Sequence, residues 1–336
     1  MKTSRRRFVQ HAAGLIFGGT IVHNFTTRLG AVSLNQVLVQ RAFYSMGTVV
    51  TISAYGPSSE MLHHAISKAY ADLQQMDERL SLFKSESDVS AINRTAGKNL
   101  VIVDSTVLDI LEKAKEFHNK TNGAFNICIE PLMRVWGFRG ETRKLKHIPE
   151  DKEIDRALNA SSIAYLTLDK AANRVGLENK FSAIDLGGIA VGYAVDRMVS
   201  ILRSEGVENA LINHSGDIFA MGAPPDQQGW IISLPNPNDS SEIMASFLVK
   251  DQAVSTSGNY ESFVEFEDER FGHILNSKTG KPSDGLLSYT VMASSAIDAD
   301  AYSTGFFSSG QLSDGVASIA VRRDSRIEHH GEITFL

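Results

Sequence analysis

Apolar residues recur along the chain with two different spacings, which separate the predicted strands from the predicted helices. Residues 37–55 are rich in β-branched side chains and are interrupted at 45–47, a pattern that predicts two strands joined by a turn. Between 58 and 80, apolar residues recur three and four positions apart, which predicts an amphipathic helix. Asp104 and Ser105 precede another stretch with helical spacing and are residue types that cap helices.

The second half of the chain alternates short predicted strands with predicted helices. The predicted elements are a hairpin at 166–169 and 175–177, a helix at 189–204, strands at 210–213 and 230–234, and a last helix near Ile297. Regular βαβ alternation, which would indicate a parallel sheet, is missing. The pattern therefore predicts an α+β fold with mixed, largely antiparallel sheets flanked by helices.

The first 32 residues differ from the rest of the chain and resemble an export signal. They contain no Asp or Glu, and a basic run at 5–7 is followed by an apolar stretch at 12–22 and small residues at 30–31. This order is typical of a signal peptide, and the Ser-Arg-Arg-Arg-Phe-Val-Gln run resembles the twin-arginine signal. A membrane anchor is the alternative, but the apolar stretch is too short and too glycine-rich to span about 30 Å of hydrocarbon. We expect a signal peptide at 1–32, one domain at 33–336, and a periplasmic location.

The charge balance limits the classes of partner. The chain has 33 basic and 39 acidic residues, a formal charge of −6, and five of the basic residues lie within 1–32. Without that segment, 28 basic residues stand against 39 acidic ones, which gives −11. This acidity favours solubility and disfavours nucleic acid and anionic lipid as partners, and we expect no stable membrane insertion. Cys128 is the only cysteine, so no internal disulfide is expected.

The segment 185–193 is the first candidate for chemistry. Asp185 ends an apolar stretch predicted to be a strand, Gly187 and Gly188 form a turn, and a helix begins directly afterwards. Glycines let a ligand approach the backbone closely, and a helix N-terminus favours phosphate. The same residues also fit a purely structural turn, and they lack the Gly-x-Gly-x-x-Gly fingerprint of dinucleotide-binding folds.

The segment 298–304 is the second candidate. On a helix, Asp300 and Thr304 lie one turn apart on the same face. A carboxylate and a hydroxyl at these positions form an all-oxygen site suited to Mg²⁺. The alternative is an acidic first turn, which the helix dipole favours without any metal.

Three further segments have both a functional and a structural interpretation. His273, predicted to lie on a strand, is either a general base or a structural histidine. The turn at 121–126 is either part of the core or a wall for an aromatic ligand. The segment 81–88 is either a capped helix start or a loop that presents Phe83.

The order and spacing of these segments resemble the ApbE family, the FAD:protein FMN transferases, from about residue 41 to the C-terminus. The matching motifs are Ser-Met-Gly-Thr (45–48), Asp-Val-Ser-Ala-Ile-Asn (88–93), Thr-x-Gly-Ala-Phe (121–125), Asp-Leu-Gly-Gly-Ile-Ala-x-Gly-Tyr-Ala-Val-Asp (185–196), Ile-Asn-x-x-Gly-Asp-Ile (212–218), Val-Ser-Thr-Ser-Gly-x-Tyr-Glu (254–261), His-Ile (273–274), Thr-Gly (279–280) and Ala-Asp-Ala-x-x-Thr (299–304). The Asp-Leu-Gly-Gly and Ala-Asp-Ala-x-x-Thr motifs together are highly specific.

The resemblance implies an α+β fold that holds FAD in a cleft, with a divalent metal, Mg²⁺, at the pyrophosphate. It also implies transfer of FMN from FAD to a Thr hydroxyl of a target protein through a phosphoester, with release of AMP. By residue match, the implied metal ligands are the Gly188 carbonyl, Asp300 and Thr304, with Ser303 in the same turn. The implied flavin contacts are Met46, Phe83, Ala124, Phe125, Asn126, Asp185, Val191 and Ile274. The implied catalytic residues are His273, as the base, and Asp300.

The chain departs from the family pattern at several of these positions. Val191 stands where the family usually has Lys, which removes a cation from beside the flavin or the phosphates. Phe83 stands where the family often has Tyr, and stacking on the isoalloxazine survives that change. Asn126 replaces a common Asp. These departures suggest a specialised branch with altered target choice, slower turnover or retention of FAD.

Four functions are consistent with the sequence. The leading one is a Mg²⁺-dependent flavin transferase whose acceptor is an exported domain of a membrane electron-transfer flavoprotein. A metal-dependent FAD pyrophosphatase would use water in the same site and give FMN and AMP. A non-catalytic FAD-binding flavoprotein would release no AMP, and Val191 in place of Lys favours it. An interaction protein with a vestigial site fits poorly with the joint presence of Asp300, Thr304 and His273.

Overall fold

The computed structural model describes residues 36–140, 142, 144–259, 262–313 and 315–336, and the predicted signal peptide at 1–32 lies outside them. Over the described residues, no helix is both long enough and apolar enough to cross a membrane. The strands are β1 (Val37–Ser45), β2 (Thr48–Gly56), β3 (Val101–Ile102), β4 (Leu166–Asp169), β5 (Arg174–Leu177), β6 (Asn209–His214), β7 (Asp217–Met221), β8 (Trp230–Asn236), β9 (Asp239–Val249), β10 (Gln252–Gly258), β11 (Phe263–Phe266), β12 (Glu269–Gly272), β13 (Leu286–Ala293), β14 (Ala317–Arg322) and β15 (Ile327–His330). The α-helices are α1 (Ser59–Leu80), α2 (Asp88–Arg94), α3 (Ser105–Lys120), α4 (Glu130–Val135), α5 (Asp151–Ala160), α6 (Ala190–Ser204) and α7 (Ala296–Ser309). Short 3₁₀ helices cover Ile127–Ile129, Ile163–Tyr165 and Lys170–Ala172.

Eight of these strands form one antiparallel sheet, in the order β1-β2-β6-β7-β10-β13-β14-β15. Val37 lies opposite Gly56 and Ser45 opposite Thr48, so the predicted pair of strands with a turn at 45–47 is confirmed. Strand β10 lies between β7 and β13, in the interior of the sheet. Side chains on β10 are therefore held by neighbours on both sides.

The two faces of this sheet are covered by different layers. On one face, alternate strand residues such as Ile52 and Ile212 join α1, α6 and α7 in the main apolar core. On the other face, Ala220 and Val254 pack with Trp230 and the rest of the β8–β9 hairpin in a second apolar cluster. This division follows from the period of two along a strand, which sends successive side chains to opposite faces.

Smaller elements complete the fold beside the helical layer. Strands β3, β5 and β4 form a three-stranded antiparallel sheet, and β11 pairs with β12. A third apolar cluster joins α4 and α5 through Trp136 and Ile154 to Leu275, in the loop after β12. This cluster anchors the loop that also contains His273.

The structure confirms the α+β fold with a largely antiparallel sheet flanked by helices. Two local predictions are wrong. The apolar residues before Asp185 belong to no strand, because the Asp185 N–H donates to the Ile127 carbonyl of a 3₁₀ helix, at 2.8 Å, and not to a neighbouring strand. His273 lies one residue beyond β12, in a bend, because pairing with β11 ends at Gly272.

Candidate active site

Helix α7 organises the candidate site, and its first turn is fixed to α6. The Ser295 side chain caps α7 by accepting the Asp298 N–H at 3.3 Å. The two carboxylate oxygens of Asp196 on α6 accept the N–H groups of Ala296, at 2.7 Å, and Ile297, at 2.9 Å. These bonds satisfy N–H groups that a helix start leaves without intrahelical partners, and they fix α7 against α6.

Glycines at the start of α6 pack directly on α7. The Gly192 N–H donates to Asp300 Oδ2 at 3.0 Å. A Cβ atom at Gly192 would lie 2.7 Å from Asp300 Cβ, and one at Gly188 would lie 2.9 Å from Thr304 Cγ2. Both distances are shorter than van der Waals contact, so a larger side chain would force the two elements apart. The two segments with the strongest sequence signals therefore meet in one site.

Serine hydroxyls from β10 form the opposite side of this site. Ser303 Oγ lies 3.1 Å from Ser255 Oγ and 2.9 Å from Ser257 Oγ, and it contacts the Asp300 carbonyl at 3.1 Å. Ser257 Oγ also lies 3.5 Å from Thr304 Oγ1. Hydroxyls buried between a helix and a sheet are costly unless they are hydrogen-bonded, and these hydroxyls satisfy one another.

Two carboxylates lie beside these hydroxyls. Burial raises the pKa of Asp300 well above its ordinary value, and the charge of Asp217 raises it further. The hydrogen bond from the Gly192 N–H opposes this rise. Burial also raises the pKa of Asp217 to about 7, against a hydrogen bond from Ser255. Within the described part of the chain, no Lys, Arg or His side chain compensates either carboxylate. We call the following residues the acidic cluster: Asp217, Ser255, Ser257, Asp300, Ser303 and Thr304.

The acidic cluster matches the ligand preferences of a hard cation. Withdrawal of the Asp300 and Asp217 carboxylates from water without a positive partner is costly, and a divalent cation would offset that cost. The described residues contain no group of three or more His, Cys, Asp or Glu side chains placed to share a metal. The donors here are instead the Asp300 carboxylate and the Thr304 hydroxyl, beside the Gly188 backbone. Such all-oxygen surroundings fit Mg²⁺ better than a soft metal.

The 121–126 turn packs on another part of α7. A Cβ atom at Gly305 would lie 3.1 Å from Phe125 Cβ, so this glycine allows the turn to approach the helix. The side chains of Ala124 and Phe125 are buried, and the Phe125 ring packs edge-on against Phe117 with centroids 6.2 Å apart. These two side chains belong to the core, so their main chain is the part available to a ligand.

The side-chain amide of Asn126 fixes the end of this turn. Its Nδ2 donates to the Ser161 carbonyl at 2.8 Å, and its Oδ1 accepts the Cys128 N–H at 2.9 Å. The Cys128 thiol is buried, and burial raises its pKa to about 12. A thiol in this state is not a nucleophile at neutral pH.

His273 lies in the loop that the third apolar cluster anchors. Its backbone N–H and its Nδ1 both contact the Ser262 carbonyl, at 3.0 Å and 3.1 Å. A carbonyl oxygen can only accept, so Nδ1 carries the proton of the neutral ring and Nε2 is its basic nitrogen. Ile274 is buried, and the Leu275 carbonyl accepts from Ser308 Oγ of α7 at 3.0 Å. The His273 loop is therefore fixed to α7.

Met46 and Val191 lie at the edge of the same region. Met46 has a φ of 49° in the β1–β2 turn, and its neighbour Thr48 bonds Ser215 of the β6–β7 turn, with 3.2 Å between the hydroxyl oxygens. The β6–β7 turn leads directly into Asp217, so Met46 lies at the end of the sheet that carries the acidic cluster. Val191 is partly buried in the first turn of α6.

A second charged group, which the sequence did not predict, surrounds Arg139. The Glu130 carboxylate accepts from Arg139 Nε at 2.8 Å and from Arg134 Nε at 2.9 Å. Arg139 Nη2 also binds Asp185 Oδ2. The Arg139 Cζ atom lies 5.6 Å from the centroid of the Phe83 ring, which is 81% exposed. We call these five residues the arginine cluster.

Asp185 connects the arginine cluster to the acidic cluster. Its Oδ2 binds Arg139, and its Oδ1 accepts the Gly187 N–H at 2.8 Å. The next residue, Gly188, is the one that packs on Thr304. One turn of the backbone therefore positions both clusters.

The two interpretations of the 81–88 segment are both correct. Ser87 caps α2 by accepting the Ser90 N–H at 3.0 Å, and the preceding loop presents Phe83. Asp217 and Glu130 had signals that sequence reasoning left unused. Asp217 lies within the 212–218 motif, and Glu130 is an acidic residue in an apolar stretch, which marks a buried polar contact.

The chain is similar in sequence to named relatives over most of its length. The model of the ApbE family matches residues 46–328. The FAD:protein FMN transferase of Klebsiella pneumoniae (strain 342) is 31% identical over 283 residues, which cover 83% of this chain and 84% of that protein. The FAD:protein FMN transferase of Treponema pallidum (strain Nichols) is 30% identical over 284 residues, 80% of this chain and 77% of that protein.

Solved structures share the fold. The ApbE protein from Thermotoga maritima has a TM-score of 0.80 and 28% identity, over 88% of this chain and 97% of that one. The apo form of the flavinyl transferase ApbE from Pseudomonas stutzeri has a TM-score of 0.76 and 26% identity, over 88% of this chain and 95% of that one. Sequence and fold agree over most of the chain, so this protein belongs to the ApbE family.

Proposed function

We propose that this enzyme transfers FMN from FAD to a Thr hydroxyl of a target protein, with Mg²⁺ bound at the acidic cluster. Membership of the ApbE family and similarity to relatives named FAD:protein FMN transferase support the activity. The observation that carries the proposal is the junction of Gly188, Asp300 and Thr304. There the buried Asp300 carboxylate and the partly buried Asp217 carboxylate lack a cation among the described residues.

In the proposed reaction, the acceptor Thr oxygen forms a bond to the phosphorus of the FMN half of FAD. The bond between that phosphorus and the bridging pyrophosphate oxygen breaks, and AMP leaves with the bridging oxygen. FMN remains on the acceptor as a phosphoester. Mg²⁺, when bound, would neutralise pyrophosphate charge and stabilise AMP as the leaving group.

The residues around α7 would divide the work of binding and proton transfer. Asp300, Thr304 and the Gly188 carbonyl would hold the metal, and the Gly192 N–H keeps the Asp300 carboxylate in place. His273 Nε2 would accept the proton of the attacking hydroxyl, because its Nδ1 is committed to the Ser262 carbonyl. Ser303 would support this set through the β10 hydroxyls.

The flavin would lie at the other end of the site. Phe83 offers an exposed ring for stacking, which is a favourable contact for the isoalloxazine. Asp185, Val191 and Met46 would border the ligand with their side chains or main chain. Ala124, Phe125, Asn126 and Ile274 would contribute mainly through the backbone, since their side chains are buried or bonded within the fold.

We further propose that the enzyme acts in the periplasm on an exported domain of a membrane electron-transfer flavoprotein. The twin-arginine-like sequence within 1–32 supports export, and the acidic composition fits a partner other than nucleic acid or anionic lipid. Both statements rest on the sequence alone. Fusion of residues 1–32 to a reporter that is exported only when folded would test the signal.

The deciding experiment is to measure AMP release from FAD by the purified mature chain. The assay would be run with and without Mg²⁺, and with and without an exported acceptor domain that carries a candidate Thr. We expect AMP release that requires both, together with covalent flavin fluorescence on the acceptor. Replacement of the acceptor Thr by Val should abolish both signals.

Other outcomes would select another function. Release of AMP and free FMN without any acceptor would identify a pyrophosphatase that uses water. Tight FAD binding without AMP release, in the presence of a competent acceptor, would identify a flavin-binding protein.

A further inference from the structure

The two arginines of the arginine cluster share one carboxylate but differ in surroundings. Glu130 is only 2% exposed and has ion pairs with both. The Arg134 side chain is 58% exposed, whereas that of Arg139 is 20% exposed. The guanidinium of Arg134 keeps most of its contact with water and depends little on its ion pair with Glu130, but a guanidinium that is withdrawn from water must be compensated.

Arg139 is compensated by two carboxylates. Burial alone would lower the pKa of Arg139, but Asp185 and Glu130 overcome this effect and raise it. Burial raises the pKa of Glu130, and the bonds from Arg139 and Arg134 oppose the rise. The side chain of Arg139 is therefore a fixed positive charge, held from both sides.

The position of Arg139 points toward the flavin end of the site. Its guanidinium lies over the exposed Phe83 ring, with Cζ 5.6 Å from the ring centroid, and bonds the carboxylate that orders the Gly187 turn. Its bonds to Glu130 and Asp185 use Nε and Nη2. Nη1 carries two further N–H donors, which suit the carbonyl oxygens of a planar heterocycle. Val191, in the first turn of α6, offers no charge.

We propose that Arg139 binds the isoalloxazine of FAD by donating from Nη1 to one of its pyrimidine carbonyl oxygens while the ring stacks on Phe83. Glu130 is a positioning residue that holds the guanidinium for this contact. The inference rests on the proposed function, because it concerns the flavin half of the same substrate. Arg139 would thus supply the positive charge that Val191 does not.

The test compares the dissociation constants of riboflavin, FMN and FAD for the parent and four variants. Arg139→Gln should weaken all three flavins by the same factor, about tenfold, because one charge-assisted contact is lost. Arg139→Lys should lie between the two, since it keeps the charge but loses the planar fork. Arg134→Gln is the matched control, because it removes the exposed partner of Glu130, and it should bind like the parent.

The fourth variant, Glu130→Gln, separates positioning from stability. If Glu130 acts through Arg139, then Arg139→Gln should have little further effect on flavin affinity in the Glu130→Gln background. The double variant also removes both buried charges together, so it reports on binding if the single Arg139 variant does not fold. Additive losses of affinity would refute the positioning role.

The outcomes separate this inference from the proposed function. Unchanged affinity for all three flavins in folded Arg139→Gln and in the double variant would overturn the inference. Loss for FMN and FAD but not for riboflavin would also overturn it, because the contact would then be to phosphate. Failure of the parent chain to bind FAD at all would instead overturn the proposed function.

Discussion

The acidic cluster and the arginine cluster lie on either side of one backbone turn, but they differ in how their carboxylates are compensated. In the arginine cluster, Glu130 and Asp185 share the guanidinium of Arg139. In the acidic cluster, burial raises the pKa of both Asp217 and Asp300, and the charge of Asp217 raises that of Asp300 further. The two carboxylates are stabilised by a hydroxyl and an N–H group, with no cationic partner in the described chain. The arginine cluster therefore contains the cation that compensates its carboxylates, and the acidic cluster contains none.

Under the proposed function, this difference predicts which half of FAD depends on an ion from solution. A cluster that contains its own cation can bind a ligand once the chain has folded. A cluster of buried carboxylates and hydroxyls needs a metal before it can hold a pyrophosphate. We therefore expect metal removal to abolish phosphate chemistry and to leave recognition of the flavin ring intact.

The largest effect is expected for Asp300→Asn, which keeps the shape of the side chain and removes its charge. Transfer of FMN at saturating FAD should fall by at least about a thousandfold, because metal stabilisation is worth several kcal/mol. Riboflavin, which has no phosphate, should bind as it does to the parent. Mass spectrometry of the acceptor would measure transfer, and flavin fluorescence would measure binding.

A matched control lies two residues earlier on the same helix. Asp298 is in the first turn of α7 and outside the acidic cluster, so Asp298→Asn should keep near-parental transfer. Full activity of the Asp300 variant would remove the metal assignment. Equal losses in both variants would show that helix stability, and not the metal, is responsible.

The next largest effect is expected for His273→Ala, which tests whether proton transfer can be separated from both clusters. Loss of a general base should lower FMN transfer by about a hundredfold. Binding of FAD and of Mg²⁺ should stay near the parental values, since His273 belongs to neither cluster. Stopped-flow measurement of AMP release at saturating FAD and acceptor would give the rate.

The exposed His329 supplies the control for this change. His329→Ala should transfer FMN at the parental rate. If His273→Ala instead loses FAD affinity in proportion to its loss of activity, the histidine holds the loop after β12 and is not a base.

The parts of the two clusters that depend on short-range sequence patterns could be predicted from the sequence. Helix α7 has a Ser295 cap and an i, i+4 pair at Asp300 and Thr304, so both the helix and the shared face could be predicted. The glycines before α6 indicated a close approach, although the partner could not be named. The strand predicted before Asp185 was wrong because an apolar run does not reveal whether a neighbouring strand is available.

The residues that sequence reasoning missed depend on contacts between distant segments. Arg139 meets Asp185 across 46 positions, and Ser255 meets Ser303 across 48. No period or cap relates such residues, because only the packing of separate segments in the folded chain brings them together. The arginine cluster was therefore invisible until the fold was known, whereas the metal ligands were implied by family resemblance.

A moderate effect is expected for Gly192→Ala, which should disturb the acidic cluster and leave the arginine cluster unchanged. The new Cβ would overlap Asp300 Cβ at 2.7 Å and the Ala296 carbonyl, so α6 and α7 must separate. Overpacking of this kind lowers the free energy of unfolding by about 1–3 kcal/mol. Chemical denaturation would measure the loss, and transfer should fall while riboflavin affinity is kept.

Gly285→Ala provides the reference for this glycine. The nearest atom to its new Cβ would be Gly310 Cα, at 4.0 Å, so no overlap arises. Its unfolding free energy and transfer rate should match those of the parent. A Gly192 variant with equally unchanged values would mean that Asp300 does not need the close contact with α6.

The smallest effect is expected for Phe83→Leu, at the flavin end. The ring is exposed, so the free energy of unfolding should not change, but a stacking contact worth about 1 kcal/mol would be lost, which corresponds to about fivefold weaker flavin binding. Phe181→Leu is a close control, because Phe181 is also an exposed ring, 69% accessible, beside a cation, with Lys180 Nζ 4.9 Å from its centroid. Riboflavin titrations with and without Mg²⁺ should show the same fivefold loss in the Phe83 variant and none in the control. A loss that appeared only with Mg²⁺ would contradict the division of the site into a flavin end and a metal end, because the contact between Phe83 and the flavin ring would then depend on the metal.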